Sequence, residues 1–476
     1  MVMSGKGMAT VMSVSSGSPG SPSASSTGSV SLPAAGAPAA QPVSSANTAR
    51  PAAAARPERG MDLRMTLHSW RVDSRSASRG ERSLSRIAGY RIQNLCICPR
   101  FPDERLRGTM GSISVWTNRR IFGYGIQSGA DAARPTGNEA TVRAALLQAH
   151  GLDGLDVAHV DVPEPGAGEV LIRVESVGVN QLDLNVIAGH GPGAAAKLPR
   201  VLGIDPAGVI VAVGDGVPEQ RVGQHVVVKP NIPCGRCAAC AEGRESTCPA
   251  QRVVGVHRDG GAAEFVVVPS AVAFDRAGLA AEVATATVHS LPIVVNAFDA
   301  AGVRAGDRLL VTGAGGVLGR AALEYAVHVG ADVTAATRHP LDDAPDGVRV
   351  LVTGAGADLA GALAPGDRFD AVVDVSGSAA LLGQAIAALG WGGRAAFCAA
   401  SVDTRLSIDA REFYLARKRL VGVASADLDQ VRRALDLVRA GAVSPRIGAR
   451  YPLDDVRRAY REFPTTTPGK VIIDVR

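Results

Sequence analysis

Residues 308–320 read RLLVTGAGGVLGR, in which an apolar strand passes through a glycine-rich turn towards a helix. Glycine has no Cβ, so such a turn lets the backbone approach a pyrophosphate closely. The first N–H groups of the helix, predicted over 320–330, favour the negative charge of the phosphates. The segment therefore predicts a dinucleotide-binding turn, and a turn that serves the fold alone is the alternative. The predicted cofactor contacts are Gly313, Ala314, Gly316, Val317, Leu318 and Gly319.

The strand-and-helix alternation continues beyond this turn. Repeated strand–helix–strand units predict a doubly wound parallel sheet. Its further strands are predicted at 332–336, 370–374 and 394–398. Before residue 276 short apolar strands are separated by Gly, Pro and Asp turns, which predicts a β-rich domain. The strands of that domain are predicted at 170–174, 208–213 and 224–228.

Residues 1–141 do not read as a folded domain. Residues 11–55 consist mainly of Ser, Gly, Pro and Ala, which cannot bury enough apolar surface to offset the entropy of ordering. Three interpretations remain open: a disordered tail, an organellar transit peptide, or a start codon placed upstream of a true start near Val142. At Val142 the sequence VRAALLQ reads as a first strand.

The charge distribution gives no reason to expect a nucleic acid as a partner. Residues 1–141 carry 17 basic and 8 acidic side chains, whereas the rest of the chain carries 33 basic and 37 acidic ones. The basic excess therefore belongs to the N-terminal extension. No apolar run approaches the roughly 18–20 residues of a membrane span. Clustered cysteines of the reduced type fit the cytoplasm, where we expect the protein to act on a small-molecule substrate.

Four cysteines form a C-x2-C-x2-C-x7-C run, namely Cys234, Cys237, Cys240 and Cys248. Four thiolates at such short spacing can surround one tetrahedral Zn²⁺ ion and leave no coordination position for a substrate. The run therefore predicts a structural zinc site in the loop 234–248. An iron–sulfur cluster is a rival because a proline follows the last cysteine, but the usual last spacing is three residues rather than seven. A disulfide is a weaker rival.

The end of the second strand of the parallel sheet bears on the choice of cofactor. An NAD site commonly places an acidic residue there to hold the ribose 2′-hydroxyl. This chain instead has Thr337 and Arg338 after Ala336. An arginine without an acidic neighbour suits a 2′-phosphate, so Thr337 and Arg338 are predicted to contact NADPH. The alternatives are NAD as the cofactor and an Arg338 that is only a solvated loop charge.

Several segments resemble the medium-chain dehydrogenase/reductase superfamily over nearly all of 142–476. They are PEPGAGEVLIRV at 163–174, the turn from Gly214 to GQHV at 223–226, DGGAAEFVVVP at 259–269, YPLDD at 451–455 and GKVII at 469–473, together with the cysteine run and the glycine-rich turn. The resemblance implies an α/β fold in which a GroES-like β-barrel domain lies beside a Rossmann domain. A disordered or spurious N-terminal segment precedes the two domains.

The domain boundaries follow from this resemblance and from the change in pattern. They place the N-terminal extension at 1–141, the GroES-like domain with the structural-zinc lobe at 142–275, the Rossmann domain at 276–440 and a return to the GroES-like domain at 441–476.

The active-site motifs depart from those of the alcohol dehydrogenases in this superfamily. Those enzymes hold a catalytic zinc through a cysteine and a histidine, and the matching positions here are Asn180 and Ile204. An amide is a poor zinc ligand and an isoleucine is none, so a catalytic zinc is not expected. The motif around Asn180 and Asp183 resembles that of the zinc-independent quinone oxidoreductases.

That resemblance implies hydride transfer from NADPH to a quinone or an α,β-unsaturated carbonyl, whose electron-poor carbon needs no Lewis acid. Asn180 and Asp183 are the predicted catalytic residues. Asn180 would donate a hydrogen bond to the acceptor oxygen, and Asp183 would organise the loop or act directly. The alternatives are a metal-independent alcohol or aldehyde dehydrogenase and a nucleotide-binding protein without turnover. We expect a homodimer or a homotetramer.

The remaining histidines and cysteines receive little from the sequence. His190, in the loop after Asp183, is either a proton relay or a solvated side chain. No role is assigned to His289, Cys398, Cys96 or Cys98.

Overall fold

A computed structural model describes residues 141–276, 278–463 and 469–475. The predictions for residues 1–140, which include Cys96 and Cys98, lie outside the described residues. None of the helices in the described ranges is both long and apolar enough to cross a membrane.

The first part of the described chain is built mainly from strands. Its elements are β1 (Thr141–Leu147), β2 (Leu155–Asp161), β3 (Glu169–Gly178), α1 (Gln181–Ala188), β4 (Arg200–Val201), β5 (Ala207–Val213), β6 (His225–Val228), β7 (Asn231–Ile232), α2 (Ala238–Ala241), β8 (Arg252–Val253), β9 (Phe265–Pro269) and β10 (Ala273–Asp275).

Strands and helices then alternate, as predicted. These elements are α3 (Ala281–Val288), α4 (Ser290–Ala301), β11 (Arg308–Thr312), α5 (Val317–Val329), β12 (Asp332–Thr337), β13 (Arg349–Val352), α6 (Leu359–Ala362), β14 (Phe369–Asp374), α7 (Ala379–Ala387), β15 (Leu389–Phe397), α8 (Ala410–Leu415), β16 (Arg419–Gly422) and α9 (Leu428–Arg439). The chain continues through β17 (Ile447–Pro452), α10 (Val456–Glu462) and β18 (Lys470–Asp474).

The six strands β11–β16 form one parallel sheet in the order β13-β12-β11-β14-β15-β16. Leu309 and Val311 pack on one face with α4, α5 and α9, whereas Leu310 packs on the other face with α7. A strand buried on both faces explains the continuous apolar run that predicted it. The strand order reverses between β11 and β14, so the glycine-rich turn after β11 lies at the switch point where such sheets bind ligands. The predicted Rossmann fold is confirmed.

The barrel sheet has the order β10-β6-β5-β3-β18-β17, and β9 also pairs with β3. The last strand, β18, pairs antiparallel with β3, with Ile472 opposite Gly178. The chain therefore returns to the GroES-like domain after it completes the Rossmann sheet. This return places Lys470, the first residue of β18, next to the end of β3.

Candidate active site and metal centre

A buried polar cluster lies where β3, the loop after β4 and β18 meet. Asn180 comes two residues after β3 and precedes α1, Asp205 precedes β5, and Lys470 opens β18. Their exposed fractions are 6%, 0% and 4%, respectively. Three strongly polar side chains at such depth require partners, since an unpaired buried charge is very costly.

The cluster satisfies its own charges. The Lys470 ammonium lies 2.7 Å from Asp205 Oδ2 and 2.5 Å from Asn180 Oδ1. The Asn180 amide donates to Asp205 Oδ2 at 3.0 Å and to the Gly178 carbonyl at 3.1 Å. The backbone N–H of Gly178 donates to Asp205 Oδ1 at 2.9 Å. A cation is thus held between a carboxylate and an amide oxygen.

Glycine at position 178 makes this arrangement possible. A Cβ there would lie 2.1 Å from Lys470 Cε and 2.9 Å from Asp205 Oδ1. Any other residue would push the lysine out of the cluster. The Gly-Val-Asn segment therefore has a packing reason as well as a polar one.

Asp183 is wholly buried and organises the loop, which was one of its two predicted roles. Its carboxylate accepts hydrogen bonds from the N–H groups of Asn180, at 2.9 Å, and Gly203, at 3.2 Å. Burial, with the nearby Asp205 charge, raises the pKa of Asp183 to about 7. Tyr460 is buried nearby, and its hydroxyl has no hydrogen-bond partner among the described residues.

The geometry revises the prediction for Asn180. Both hydrogens of its amide are already donated, to Asp205 and to Gly178, so no free donor remains for a substrate oxygen. Its oxygen accepts from Lys470 and lies 2.8 Å from Nδ1 of His289. Asn180 thus positions other groups in this structure.

His289 was assigned no role from the sequence, yet it completes the cluster. It lies between α3 and α4 and is partly exposed. Burial of its ring, followed by the positive charge of Lys470, lowers the pKa of His289 to about 4. His190, by contrast, is exposed and has no side-chain hydrogen bond among the described residues.

The sequence did carry one unused signal for Lys470. Only five of the 50 basic residues are lysine, a bias that reads most simply as a property of the genome. Three of these lysines, Lys229, Lys418 and Lys470, are buried. A lysine that persists at a buried position in an arginine-rich chain indicates a compact ammonium that a guanidinium cannot replace.

The glycine-rich turn has the shape of a phosphate cradle. Gly313 has a φ of 76°, and a Cβ there would lie 2.6 Å from Ser376 Cα. A Cβ on Gly319 would lie 2.3 Å from the Gly313 carbonyl oxygen. Helix α5 starts at Val317, directly after the exposed Gly316, and its first N–H groups lack partners within the helix. The turn therefore fits the pyrophosphate of a dinucleotide.

The other predicted cofactor contacts lie around the start of α5 and at the end of β12. Ala314 is buried and Leu318 is partly buried, on either side of the start of α5. Thr337 is the buried last residue of β12. Arg338 follows it, is exposed, and has no hydrogen bond or ion pair among the described residues.

The four cysteines of the run converge. Their sulfur atoms lie within 4.8 Å of one another, and Cys248 is buried. A tetrahedral zinc ion with bonds of about 2.3 Å sets sulfur–sulfur distances of about 3.8 Å, so this donor set fits the ion with little movement. The N–H groups of Arg236 and Cys237 lower the pKa of Cys234 to about 6, whereas burial raises the pKa of Cys240 to about 12.

The cysteine lobe is joined to the Rossmann domain by reciprocal hydrogen bonds. The Ser246 N–H donates to Asp427 Oδ1 at 2.6 Å. The Leu428 N–H, at the start of α9, donates to Glu245 Oε2 at 3.3 Å. Two carboxylates at the N-terminus of a helix also match its dipole. The lobe therefore fixes one end of α9.

Comparisons with known proteins agree with this architecture. Residues 166–276 match the alcohol dehydrogenase GroES-like domain, and residues 334–473 match the zinc-binding dehydrogenase family. An L-threonine 3-dehydrogenase of Streptomyces coelicolor is 30% identical over 368 residues, which cover 69% of this chain and 98% of that protein. The chain belongs to the medium-chain dehydrogenase/reductase superfamily. It is thus an oxidoreductase of the zinc-binding dehydrogenase family.

Other members of the superfamily match over different lengths. The starvation-sensing protein RspB of Escherichia coli is 37% identical over 161 residues, 34% of this chain, so the match spans only 47% of that relative. A cobalt- and zinc-bound alcohol dehydrogenase from Pyrobaculum aerophilum is 31% identical with a TM-score of 0.64, covering 70% of this chain and all of that one. A zinc-binding dehydrogenase from Sinorhizobium meliloti bound to NADP is 27% identical with a TM-score of 0.64, covering 70% and 99%.

Proposed function

We propose that this medium-chain dehydrogenase/reductase transfers hydride from NADPH to a quinone or an α,β-unsaturated carbonyl without a catalytic zinc. The observation that carries the proposal is the Lys470 ammonium, 2.5 Å from the oxygen of Asn180. Asn180 stands where the alcohol dehydrogenases of the superfamily have a zinc cysteine. That position already holds a cation.

A divalent metal is disfavoured beside this ammonium. Two positive charges a few ångströms apart repel each other strongly in a buried site. Ile204, at the position of the zinc histidine, is wholly buried and has no lone pair to offer. Both features support chemistry that does not depend on a metal at this position.

The protein's contribution is electrostatic. A bound nicotinamide cofactor would supply the hydride. Lys470 uses two of its three N–H groups on Asp205 and Asn180, and no partner of the third is found among the described residues. A fixed positive charge with a free donor stabilises the negative charge that develops on an acceptor oxygen. Conjugated acceptors need the least electrostatic stabilisation, because they spread the developing negative charge over an enolate or hydroquinone.

Purified protein assayed with NADPH and a panel of quinones and enals tests the proposal. We expect turnover with these acceptors that survives removal of weakly bound metal by a chelator. Alcohols with NADP⁺ form the comparison arm. Oxidation of alcohols without reduction of quinones or enals would favour the metal-independent alcohol dehydrogenase, and no turnover on any substrate would favour a binding protein.

Preference for NADPH is part of the proposal and rests on Arg338. Its guanidinium has no acidic partner among the described residues and suits a 2′-phosphate, for which the NADP-bound relative offers a precedent. We expect kcat/KM to be roughly tenfold to a hundredfold higher with NADPH than with NADH. Arg338→Ala should remove most of this preference and leave turnover with NADH nearly unchanged. Arg411→Ala, at another exposed arginine, is the control. Equal use of both cofactors by the wild type would contradict the role of Arg338.

We assign one structural zinc ion to the lobe formed by residues 234–248. All four ligands would be thiolates, so the metal would have no open position for chemistry. Elemental analysis of protein purified without chelator should give one zinc per chain. Two zinc ions per chain would contradict both this assignment and the proposed active site.

A homodimer or homotetramer also remains our expectation. Among the described residues, most of the large apolar side chains that are exposed lie between 391 and 421, including Trp391 at 73% and Tyr414 at 67%. This part of the chain runs from β15 to β16, the edge strand of the parallel sheet, on which Val421 is 40% exposed. Apolar edge strands favour pairing with another chain. Light scattering should detect an oligomer that Val421→Lys weakens. A cytoplasmic location stays a prediction.

A further inference from the structure

The orientation of the Asn180 amide is fixed from both ends. Its Oδ1 faces the Lys470 ammonium, which can only donate a hydrogen bond. Its Nδ2 faces the carbonyl oxygen of Gly178, which can only accept. An amide with oxygen and nitrogen exchanged would place donor against donor and acceptor against acceptor. The atom nearest to His289 is therefore an oxygen that accepts hydrogen bonds.

This orientation determines the tautomer of His289. Nδ1 lies 2.8 Å from Asn180 Oδ1, so Nδ1 must carry the hydrogen and donate it. In the neutral ring the other nitrogen, Nε2, then has a bare lone pair. The fixed geometry of the amide, rather than the solvent, makes Nε2 an acceptor.

The charges around the ring keep it neutral. Lys470 and Lys229 both act on His289 with positive charge, and Asp205 opposes them. The Lys229 ammonium is itself held by the carbonyl of Asn231 at 2.7 Å. Burial and these ammonium groups lower the pKa of His289 to about 4, so protonation of Nε2 is rare at neutral pH.

No partner of Nε2 is found in the part of the chain that the structure describes. His289 is partly exposed, and Nε2 is not one of the buried side-chain atoms that lack a partner, so its lone pair can meet a ligand. A bare acceptor recognises a hydrogen-bond donor, and a quinone or a plain enal has none. The natural donor on a small carbonyl compound is a hydroxyl group.

We infer that Nε2 of His289 accepts a hydrogen bond from a substrate hydroxyl, so the enzyme selects hydroxyl-bearing α,β-unsaturated carbonyl compounds. This inference rests on the proposed function and narrows its substrate class. His289 acts in recognition and exchanges no proton. The substrate hydroxyl is a different group from the oxygen that Lys470 stabilises.

A matched pair of acceptors tests the selection. With NADPH, 4-hydroxyhex-2-enal should have a kcat/KM about threefold to tenfold above that of hex-2-enal, the value of one neutral hydrogen bond. His289→Asn keeps a donor near the position of Nδ1 but has no acceptor at the position of Nε2. The variant should bring the ratio of the two kcat/KM values close to one. His190→Asn, at an exposed histidine, should leave the ratio unchanged.

A second measurement does not depend on turnover. In protein with ¹⁵N-labelled histidine, the resonances that vanish in His289→Asn should report a protonated Nδ1 and a bare Nε2 at pH 7. Addition of 4-hydroxyhex-2-enal should shift the Nε2 resonance more than hex-2-enal does.

The outcomes separate the two proposals. Reduction of both enals at equal kcat/KM, with the same ratio in His289→Asn, overturns the inference and leaves the proposed function standing. Failure to reduce any enal or quinone contradicts the proposed function, and the resonances then decide the inference alone. A protonated Nε2, or equal shifts with both enals, overturns it.

Discussion

The cysteine lobe and the cluster around Lys470 belong to the same barrel domain, but they are assembled over very different distances along the chain. All four cysteines lie within residues 234–248. The hydrogen bond from Lys470 to Asn180 joins residues 290 positions apart. A site made by one short loop can be recognised from spacing, whereas a site made by distant strands exists only once the fold is known.

The two sites also differ in how the remaining groups are solvated when one side chain is removed. The cysteines lie near the surface and three of them are only partly buried, so water can replace a lost contact. Lys470 and Asn180 are buried, and Asp205 is wholly buried. Loss of the ammonium would leave a buried carboxylate without a counter-charge.

Lys470→Met should have the largest effect on stability and tests most directly whether the two sites differ. We expect the free energy of unfolding to fall by about 3–5 kcal/mol, because one partner of a buried pair is removed. Urea unfolding measures the change. Lys197→Met, at an exposed lysine, is the control and should leave the free energy of unfolding nearly unchanged. The double variant Lys470→Met, Asp205→Asn should regain much of the stability but not the activity. Recovery of activity in that variant would show that the ammonium has no electrostatic role.

Cys237→Ser should have a smaller effect that stays local. We expect the zinc content to fall from one per chain towards none and the free energy of unfolding to fall by about 1–3 kcal/mol, because a surface lobe can open by itself. Cys398→Ala, outside the lobe, should retain the metal. Loss of stability as great as in Lys470→Met would mean that the lobe is as central as the buried cluster.

The sequence predicted the features whose residues are close together along the chain. The turn after Thr312 was recognisable because strand, glycines and helix are contiguous, and the cysteine run because its ligands share a loop. Asn180 and Asp183 were found through a motif, but the motif could not say that every amide hydrogen of Asn180 is used. His289 has no motif at all. Only the pairing of β18 with β3 and the packing of α3 bring Lys470 and His289 to Asn180.

The smallest expected effect is on the pH dependence of stability, which the buried groups around Lys470 should influence. His289 has a folded pKa of about 4 against an ordinary value of 6.5, so the unfolded chain binds its proton first and acidification below about 6.5 destabilises the fold. Asp183, with a folded pKa of about 7 against 3.8, does the reverse, because the folded state takes up a proton below about pH 7 and the unfolded chain only below about 4.

The two groups therefore oppose each other in the wild type between about pH 6.5 and 4. In His289→Asn only the Asp183 effect remains of this pair, so a shift from pH 7 to 5 should favour the variant over the wild type by about 2 kcal/mol. Chemical denaturation of both proteins at the two pH values measures the difference. An identical pH response would mean that His289 is not kept neutral by its surroundings.

The position of Lys470 on the last strand also has a consequence for biosynthesis. During translation the barrel strands emerge first, the whole Rossmann sheet follows, and β18 comes only afterwards. Until β18 is synthesised, Asp205 and Asn180 lack the Lys470 ammonium, and water must solvate them. The polar centre of the first domain is thus completed only after the whole Rossmann sheet has been synthesised.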